Sequence, residues 1–183
     1  MKKLSRRARI ATGGAAVAVV AAGTFGAMTA NASAPADVAA APAADVKGDT
    51  TTTSTHLTID AASKAAQAAL DAAEAEGRHI SVAVVDRNGN TIVTLGGDGA
   101  GPQSYESAVR KAFTAVSWNA PTSELAKRLT NAPTLKDIPG TLFLAGGAPV
   151  TAKNAPIAGV GVAGAPSGDL DEKFAQAGVA ALN

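Results

Sequence analysis

The chain has 183 residues, no cysteine and a formal net charge of +1. That length suits one domain with a terminal extension. The absence of cysteine excludes a disulfide scaffold, a thiolate metal site and a cysteine nucleophile. Charged residues make up only 17% of the chain and aromatic residues only 3%. These fractions exclude an extended nucleic-acid surface built from basic clusters and stacking rings, so no nucleic-acid partner is expected.

The first 32 residues have the layout of a secretory signal peptide. Residues 1–9 contain five basic and no acidic side chains, and residues 10–28 carry no charge. Ala30-Asn31-Ala32 then has small residues at the two positions that signal peptidase reads. The sequence therefore predicts an extracellular protein. A retained membrane anchor is the alternative, because the apolar run reaches the lower length limit of a span. Ser5-Arg6-Arg7 partly matches the twin-arginine export signal.

Residues 33–56 are predicted to form a flexible arm. This segment consists mainly of alanine, proline, aspartate and threonine. It has almost no large apolar side chain whose burial would offset the entropy lost when the segment is ordered. The folded domain is therefore expected to span residues 57–183.

The domain is predicted to begin with a helix and a β-hairpin. Thr58 is a suitable N-cap, and apolar residues recur at helical spacing from Ala62 to Ala73, with Gly77 as the C-terminal stop. Two β-rich runs then flank Asn88-Gly89, and Asn-Gly between such runs is a strong hairpin signal. We expect an antiparallel hairpin at about residues 79–96.

Helices and short strands are predicted for the second half of the domain. Apolar residues repeat with helical period up to Trp118, with Ser104 as the candidate N-cap, and Thr122 is the candidate cap of a shorter helix. Short apolar strands are expected at 141–145 and 156–163, and a final helix follows. Because hairpins and short turns join the strands, the sheet should be largely antiparallel and the fold class α+β rather than doubly wound.

Two motifs are better explained by structure than by catalysis. The segment 159–164 spells G-x-G-x-x-G, but its glycines lie within a predicted strand. We interpret them as positions where a helix approaches the sheet, not as a dinucleotide site. Neither His56 nor His79 is accompanied by a nucleophile elbow, so no Ser/His/Asp triad is indicated.

Three acidic residues crowd the end of the first helix: Asp71, Glu74 and Glu76. A solvated helix face is the first interpretation of this cluster, and a loose iron-binding site is the second.

The helical segment 105–115 combines two adjacent cations with hydroxyl groups and aromatic rings. Its spacing alone predicts an amphipathic helix, with Phe113 in the core and with Arg110 and Lys111 in water. The same mixture makes this segment the first place to look for a functional site.

From Leu57 to Leu182 the chain resembles the GlcG/HbpS family, also called the haem-degrading domain family. The resemblance is carried by the LTIDAA opening, the ISVAVVDRNGN hairpin, the KAFTA helix core, the GGAPV turn and the GVGVAG strand. It implies a profilin-like or PAS-like α/β/α layer, in which helices cover an antiparallel sheet, and assembly into a homo-oligomer such as an octamer. The signal peptide and the arm resemble those of the secreted, haem-binding branch.

The resemblance also implies haem as the cofactor. For the secreted branch, it implies an accessory role beside the ectodomain of a membrane sensor kinase, in a two-component system that senses haem, iron or redox stress. The alternatives are a haem-degrading enzyme and an oligomeric buffer of iron ions. No strong acid/base pair supports an enzyme in this sequence, so non-enzymatic haem binding is preferred.

Residue types restrict the ligand of the haem iron. Haem iron usually takes His, Cys, Met or Tyr. Cysteine is absent, and both methionines precede the predicted cleavage site. His56, His79 and Tyr105 remain, with Lys111 as an unusual ligand.

The family resemblance points instead to the helix that holds Lys111 and Thr114, in a pocket that a second subunit would complete. Thr114 would be a weak ligand or would hold a water on the iron. Arg110 or Lys111 would pair with the haem propionates. The predicted cofactor-binding residues are therefore Tyr105, Arg110, Lys111, Phe113, Thr114 and His79.

Overall fold

The computed structural model describes residues 43–183, so the predicted signal peptide and the first part of the arm lie outside the described residues. The side chains of residues 43–56 are exposed, and one short 3-10 turn occurs there, at Gly48–Thr50. Val46–Asn183 forms one compact unit. Within the described range, no helix is both long enough and apolar enough to cross a membrane.

Helix α1 spans Ile59–Glu74 and begins as predicted. The Thr58 hydroxyl accepts the N–H of Ala61 at 3.2 Å, which satisfies one of the free donors of the first turn. Gly77, with a φ of 64°, ends the segment in the left-handed conformation that favours glycine. The buried face of α1 is built almost entirely of alanine, so the helix lies close to its neighbours; its members are Ala62, Ala65, Ala66, Ala69, Leu70 and Ala73.

Four antiparallel strands form one sheet in the order β2-β1-β4-β3. The predicted hairpin is confirmed, because β1 pairs with β2 across the turn that contains Asn88 and Gly89. Asp86 closes this turn, since its Oδ1 accepts the N–H groups of Asn88 and Asn90, each at 2.8 Å. The strands are β1 Ser81–Asp86, β2 Thr91–Gly96, β3 Gly147–Ala152 and β4 Ala155–Ala163.

The strand predicted at residues 141–145 is wrong. These residues have no regular structure, and β3 begins only at Gly147. The apolar residues that suggested a strand serve instead to cover the helices, since the Phe143 ring packs edge-on against Trp118 with centroids 5.2 Å apart. Strand β3, which pairs with β4, follows this segment. The chain turns from β3 into β4 at Lys153 and Asn154.

The turn between β3 and β4 consists of two residues with positive φ. Lys153 has a φ of 50° and Asn154 a φ of 64°. Left-handed conformation at both positions is typical of a type I′ hairpin turn, which matches the twist of antiparallel strands. Lys-Asn is a weaker sequence signal for this turn than Asn-Gly, and the prediction therefore missed the hairpin.

Helices cover both faces of the sheet, which confirms the predicted α/β/α layering. Helices α1 and α4, the latter at Gly168–Ala180, pack on the face that carries Val82, Val84 and Val160. Helix α2, at Pro102–Trp118, covers the face that carries Ala83 and Val85.

Glycines in β4 allow α2 to approach the sheet closely. A Cβ atom on Gly161 would overlap the carbonyl oxygen of Ala108, and one on Gly159 would overlap that of Ala112. The interpretation of these glycines as helix-packing positions is therefore confirmed.

Both predicted caps in the second half are wrong. Helix α2 begins at Pro102, so Ser104 lies inside it, where its hydroxyl donates to the Gly101 carbonyl and is 2.7 Å from the Ser81 hydroxyl. Thr122 is the first residue of α3, Thr122–Arg128, and its hydroxyl accepts the N–H of Gly147 at 2.7 Å. Both hydroxyls are buried and connect a helix to the sheet instead of capping one.

Candidate functional site

Several of the predicted cofactor-binding side chains lie near one end of the sheet. This is the end at which β1 begins and β2 and β4 finish, since Ser81 pairs with both Gly96 and Ala163. His79 comes just before β1, and Tyr105 lies in the first turns of α2. The Tyr105 ring covers Gly96 so closely that a Cβ atom there would lie 2.8 Å from the ring.

Lys111 forms a buried ion pair with Asp171 of α4. Its Nζ atom is 2.7 Å from Asp171 Oδ2 and also donates to the Val162 carbonyl at 3.0 Å. The two side chains are each only 5% exposed. The amphipathic interpretation, which placed Lys111 in water, is therefore wrong for this residue, because a distant helix supplies an acid that the spacing of α2 cannot reveal.

The carboxylate of Asp171 accepts hydrogen bonds on both oxygens. Its second oxygen, Oδ1, accepts the N–H of Ala165 at 2.9 Å. Burial raises the pKa of Asp171, while the hydrogen bonds from Lys111 and from the backbone after β4 act in the opposite direction. Asp171 thereby ties α2 to the connection between β4 and α4.

Two cavities share the Lys111–Asp171 pair, and we call them together the lysine cleft. The larger has a volume of about 400 Å³ and the smaller about 200 Å³. The residues that line both cavities are Lys111, Leu144, Ala165 and Asp171.

The other predicted residues of α2 lie outside this cleft. Thr114 is fully buried, and its hydroxyl donates to the Arg110 carbonyl at 2.7 Å and accepts the N–H of Leu142 at 2.8 Å. A cofactor would reach this hydroxyl only if the segment around Leu142 moved. Phe113 is half-buried. The Arg110 side chain is 46% exposed and pairs with Glu106 at 2.8 Å.

His79 lines a third cavity, which we call the histidine hollow. It has a volume of about 290 Å³, and its lining residues are Glu74, Gly77, Arg78, His79, Gly97 and Asp98. His79 is exposed at this hollow. The Nε atom of Arg78 is buried and has no hydrogen-bond partner among residues 43–183. His79 was among the predicted residues and Arg78 was not, although the Arg-His pair directly after the helix stop is a sequence signal for it.

The acids at the end of α1 make contacts with neighbouring side chains. Within residues 43–183, no group of three or more His, Asp or Glu side chains is placed to hold a metal ion. Glu76 pairs with Lys173 at 2.5 Å, and Asp71 accepts from the Gln67 amide at 2.7 Å. These contacts agree with a solvated helix face, and iron binding there stays a prediction.

Comparison with known proteins identifies the family. Residues 57–180 match the family model of HbpS-like proteins, described as haem degrading protein HbpS-like. The chain is 77% identical to an HbpS double mutant of Streptomyces reticuli in which two glutamates are replaced by aspartates. That match covers 79% of this chain and 99% of the HbpS chain, with a TM-score of 0.77.

Two less similar structures share the fold. PduOC in complex with heme is 26% identical, and the match covers 70% of this chain and 96% of PduOC with a TM-score of 0.65. The Klebsiella pneumoniae protein ORFY is also 26% identical, with coverage of 72% and 94% and a TM-score of 0.67. A search of curated protein sequences gives no match. The chain belongs to the HbpS-like family.

Proposed function

We propose that this chain is a haem-binding protein. The observation that carries the proposal is the match to PduOC, which was crystallised with heme and shares its fold with 70% of this chain. The description of the matched family also names haem and supports the same ligand.

The histidine hollow offers the side chains that haem requires. Imidazole is a common ligand of haem iron, and His79 is exposed at the edge of the hollow. A guanidinium pairs well with carboxylates, and the buried Nε of Arg78, which has no partner among the described residues, would donate to a haem propionate if the side chain turned into the hollow. A porphyrin is larger than this hollow, so part of the macrocycle would lie outside it, against solvent or a second subunit.

The remaining candidate ligands differ in how accessible they are. Lys111 already binds Asp171, and Thr114 already makes two hydrogen bonds, so each would reach the iron only after these contacts broke. Tyr105 is 47% exposed at the same end of the sheet. We therefore propose His79 as the axial ligand and Tyr105 as the alternative. Bound haem would supply a redox-active iron, and the protein would hold and orient it.

A hemin titration of the purified chain tests haem binding. We expect a saturable change in Soret absorbance with a defined number of haems per subunit. An absorbance increase that stays linear in hemin, as for free hemin in buffer, would remove the proposal.

Haem degradation is the second candidate function, because the matched family carries that description. Incubation of the haem complex with a reductant and oxygen distinguishes haem binding from haem degradation. A binding protein keeps its Soret absorbance under these conditions, whereas an enzyme loses it with repeated turnover and releases iron. Lasting absorbance would therefore exclude the enzymatic alternative.

We also propose that the protein acts outside the cell. The layout of residues 1–32 supports export, and removal of those residues leaves 11 basic and 15 acidic residues, a net charge of −4. N-terminal sequencing of protein from the culture medium is expected to begin at Ser33. Replacement of Arg6 and Arg7 by lysine should reduce export if the twin-arginine route is used, and unchanged export would exclude that route.

The proposed role outside the cell is sensing, as a homo-oligomer beside the ectodomain of a membrane sensor kinase that responds to haem, iron or redox stress. Membership of the HbpS-like family motivates this proposal. Light scattering is expected to give an oligomer, an octamer on the family resemblance. The ectodomain should bind the haem-loaded and haem-free forms with different affinities, and equal affinities would contradict a sensing role.

A further inference from the structure

We propose that the lysine cleft binds a small organic carboxylate, a free acid with an apolar body, at a site separate from the histidine hollow. The cleft is open space beside a buried ion pair, and the haem ligation proposed above does not use it. Four observations carry the proposal: an uncommitted donor, a polar wall, an apolar wall and a neutralised acid.

The uncommitted donor belongs to Lys111. An ammonium group has three N–H donors, and Lys111 directs two of them to Asp171 and to the Val162 carbonyl. The third has no partner among residues 43–183. Lys111 lines both cavities although its side chain is almost completely buried, so its position is fixed before a ligand arrives. Gly146 makes room for it, since a Cβ atom there would lie 2.6 Å from Nζ.

Helix α2 provides the polar wall of the smaller cavity. Gln103, Ser107 and Lys111 are spaced four residues apart, so they lie on the same face of the helix. All three line this cavity and bring an amide, a hydroxyl and an ammonium into one row. These groups are hydrogen-bond donors of the kind that carboxylate oxygens accept.

The opposite wall of the cleft is apolar. Leu142, Leu144 and Ala163 line the smaller cavity, and Pro166 extends this surface into the larger one. Leu144 is 57% exposed and presents apolar surface to both cavities of the cleft. The body of a ligand would cover it. A ring or a short hydrocarbon chain fits within these cavities and leaves room for water.

The acidic groups that face the cleft do not exclude an anion. Lys111 balances the charge of Asp171, and each oxygen of Asp171 accepts a hydrogen bond, one from Lys111 and one from the N–H of Ala165. Asp169 is exposed to solvent, which screens its charge. Gly168, the first residue of α4, also lines the larger cavity, and its N–H is one that the helix itself leaves unpaired.

Benzoate is the probe for this site, and benzamide is its neutral control of the same shape. Ligand-observed saturation-transfer NMR on the haem-free full chain is suitable even for a large oligomer. We expect saturable binding of benzoate and affinity at least about tenfold weaker for benzamide, a difference of about 1.4 kcal/mol. Equal binding of the two compounds, or no binding of benzoate, would overturn the proposal.

Two variants test whether benzoate binds in the lysine cleft. Ser107→Ala and Leu144→Ala should each weaken benzoate binding several-fold without disturbing the buried ion pair. Ser117→Ala is the matched control, because Ser117 lies on the same helix and its hydroxyl donates to the Phe113 carbonyl. Unchanged affinity in both cleft variants would contradict the site. Displacement of benzoate by hemin would place a haem propionate in the cleft and would overturn a separate site for a free acid.

Discussion

At the scale of single residues, the Lys111–Asp171 pair decides how one end of the domain is held together. On folding, each side chain loses its hydrogen bonds to water. It gains the ion pair with the other side chain and a hydrogen bond with the backbone. A buried pair of this kind adds little net stability over an apolar pair of the same shape, but loss of one partner leaves an unpaired buried charge.

Replacement of Lys111 by methionine should therefore lower the free energy of unfolding by about 3–5 kcal/mol. Arg110→Met is the control on the neighbouring residue, because its exposed pair with Glu106 is worth only about 0.5 kcal/mol. Urea unfolding at a fixed protein concentration measures both. Similar effects of the two substitutions would show that the buried pair is not special.

The pH dependence of stability should show a contribution from Asp86. Partial burial would raise the pKa of Asp86, but hydrogen bonds from the backbone and side chain of Asn90 and from the N–H of Asn88 outweigh it and hold that pKa below 3.8. The stability it contributes is therefore present above pH 3.8 and is lost as the pH falls through the lower folded value.

The variant Asp86→Asn tests whether the contribution of Asp86 to stability is lost on acidification. The difference in unfolding free energy between wild type and variant should be largest near neutral pH and should shrink as the pH falls below 3.8. A difference that grows on acidification would contradict the assignment. Asp171 should contribute with the opposite sign, since its raised pKa makes its contribution complete below 3.8 and lost as the pH rises through the folded value.

At the scale of secondary-structure elements, the glycines of β4 set the distance between α2 and the sheet. Gly161→Ala would push a methyl group into the Ala108 carbonyl, and the backbone of α2 would have to shift. We expect a loss of about 1–3 kcal/mol or more in unfolding free energy. Gly48→Ala is the control, because no atom lies within 4 Å of the added Cβ. Equal midpoints in urea would contradict this account of helix packing.

The β3–β4 turn contains a residue whose replacement by glycine should increase stability. Lys153 holds a φ of 50°, which glycine adopts without strain. Lys153→Gly should therefore raise the free energy of unfolding by up to about 1 kcal/mol. Ala155→Gly, in the adjacent strand, should instead lower it, because glycine there only adds entropy to the unfolded chain. Thermal unfolding of the two variants should show shifts of opposite sign.

The elements that the sequence predicts well are those with local signals. The cap at Thr58, the alanine stripe of α1 and the Asn-Gly turn each act within a few residues. Strand β3 was missed because its turn has no glycine, and because the apolar run before it covers helices and forms no sheet pairs.

For the candidate site, the sequence indicated which residue types could bind haem iron but not how the fold arranges them. Residue types left His56, His79 and Tyr105 as possible ligands, with Lys111 as an unusual one, and the fold places His79 and Tyr105 at the same end of the sheet. The partner of Lys111 is 60 residues away in the sequence, and no periodicity links the two. The role of Arg78 likewise depends on how the chain packs after α1.

At the scale of the whole molecule, the three-layer fold places the histidine hollow and the lysine cleft at one end of the sheet. Gly164 connects them, because it lines the cleft and lies against the backbone of His79. A ligand that binds only the folded state stabilises it by an amount that grows with its concentration.

Hemin should therefore raise the melting temperature of the wild-type protein. Saturation at 100 times the Kd corresponds to about 2.7 kcal/mol of added stability. The same concentration should have a smaller effect on His79→Ala, because weaker binding stabilises less. Differential scanning calorimetry measures both. An equal increase in the two proteins would contradict a role for His79 in haem binding.

The absorption spectrum of the ferric haem complex shows whether His79 binds the iron. His56→Ala is the matched control for His79→Ala, because His56 lies in the exposed arm, with its Nε2 2.6 Å from the Ser54 hydroxyl. We predict that His56→Ala keeps the Soret position and affinity of the wild type. His79→Ala should shift the Soret band and bind hemin at least about tenfold more weakly, a loss of about 1.4 kcal/mol. A wild-type spectrum and affinity in His79→Ala would contradict the account.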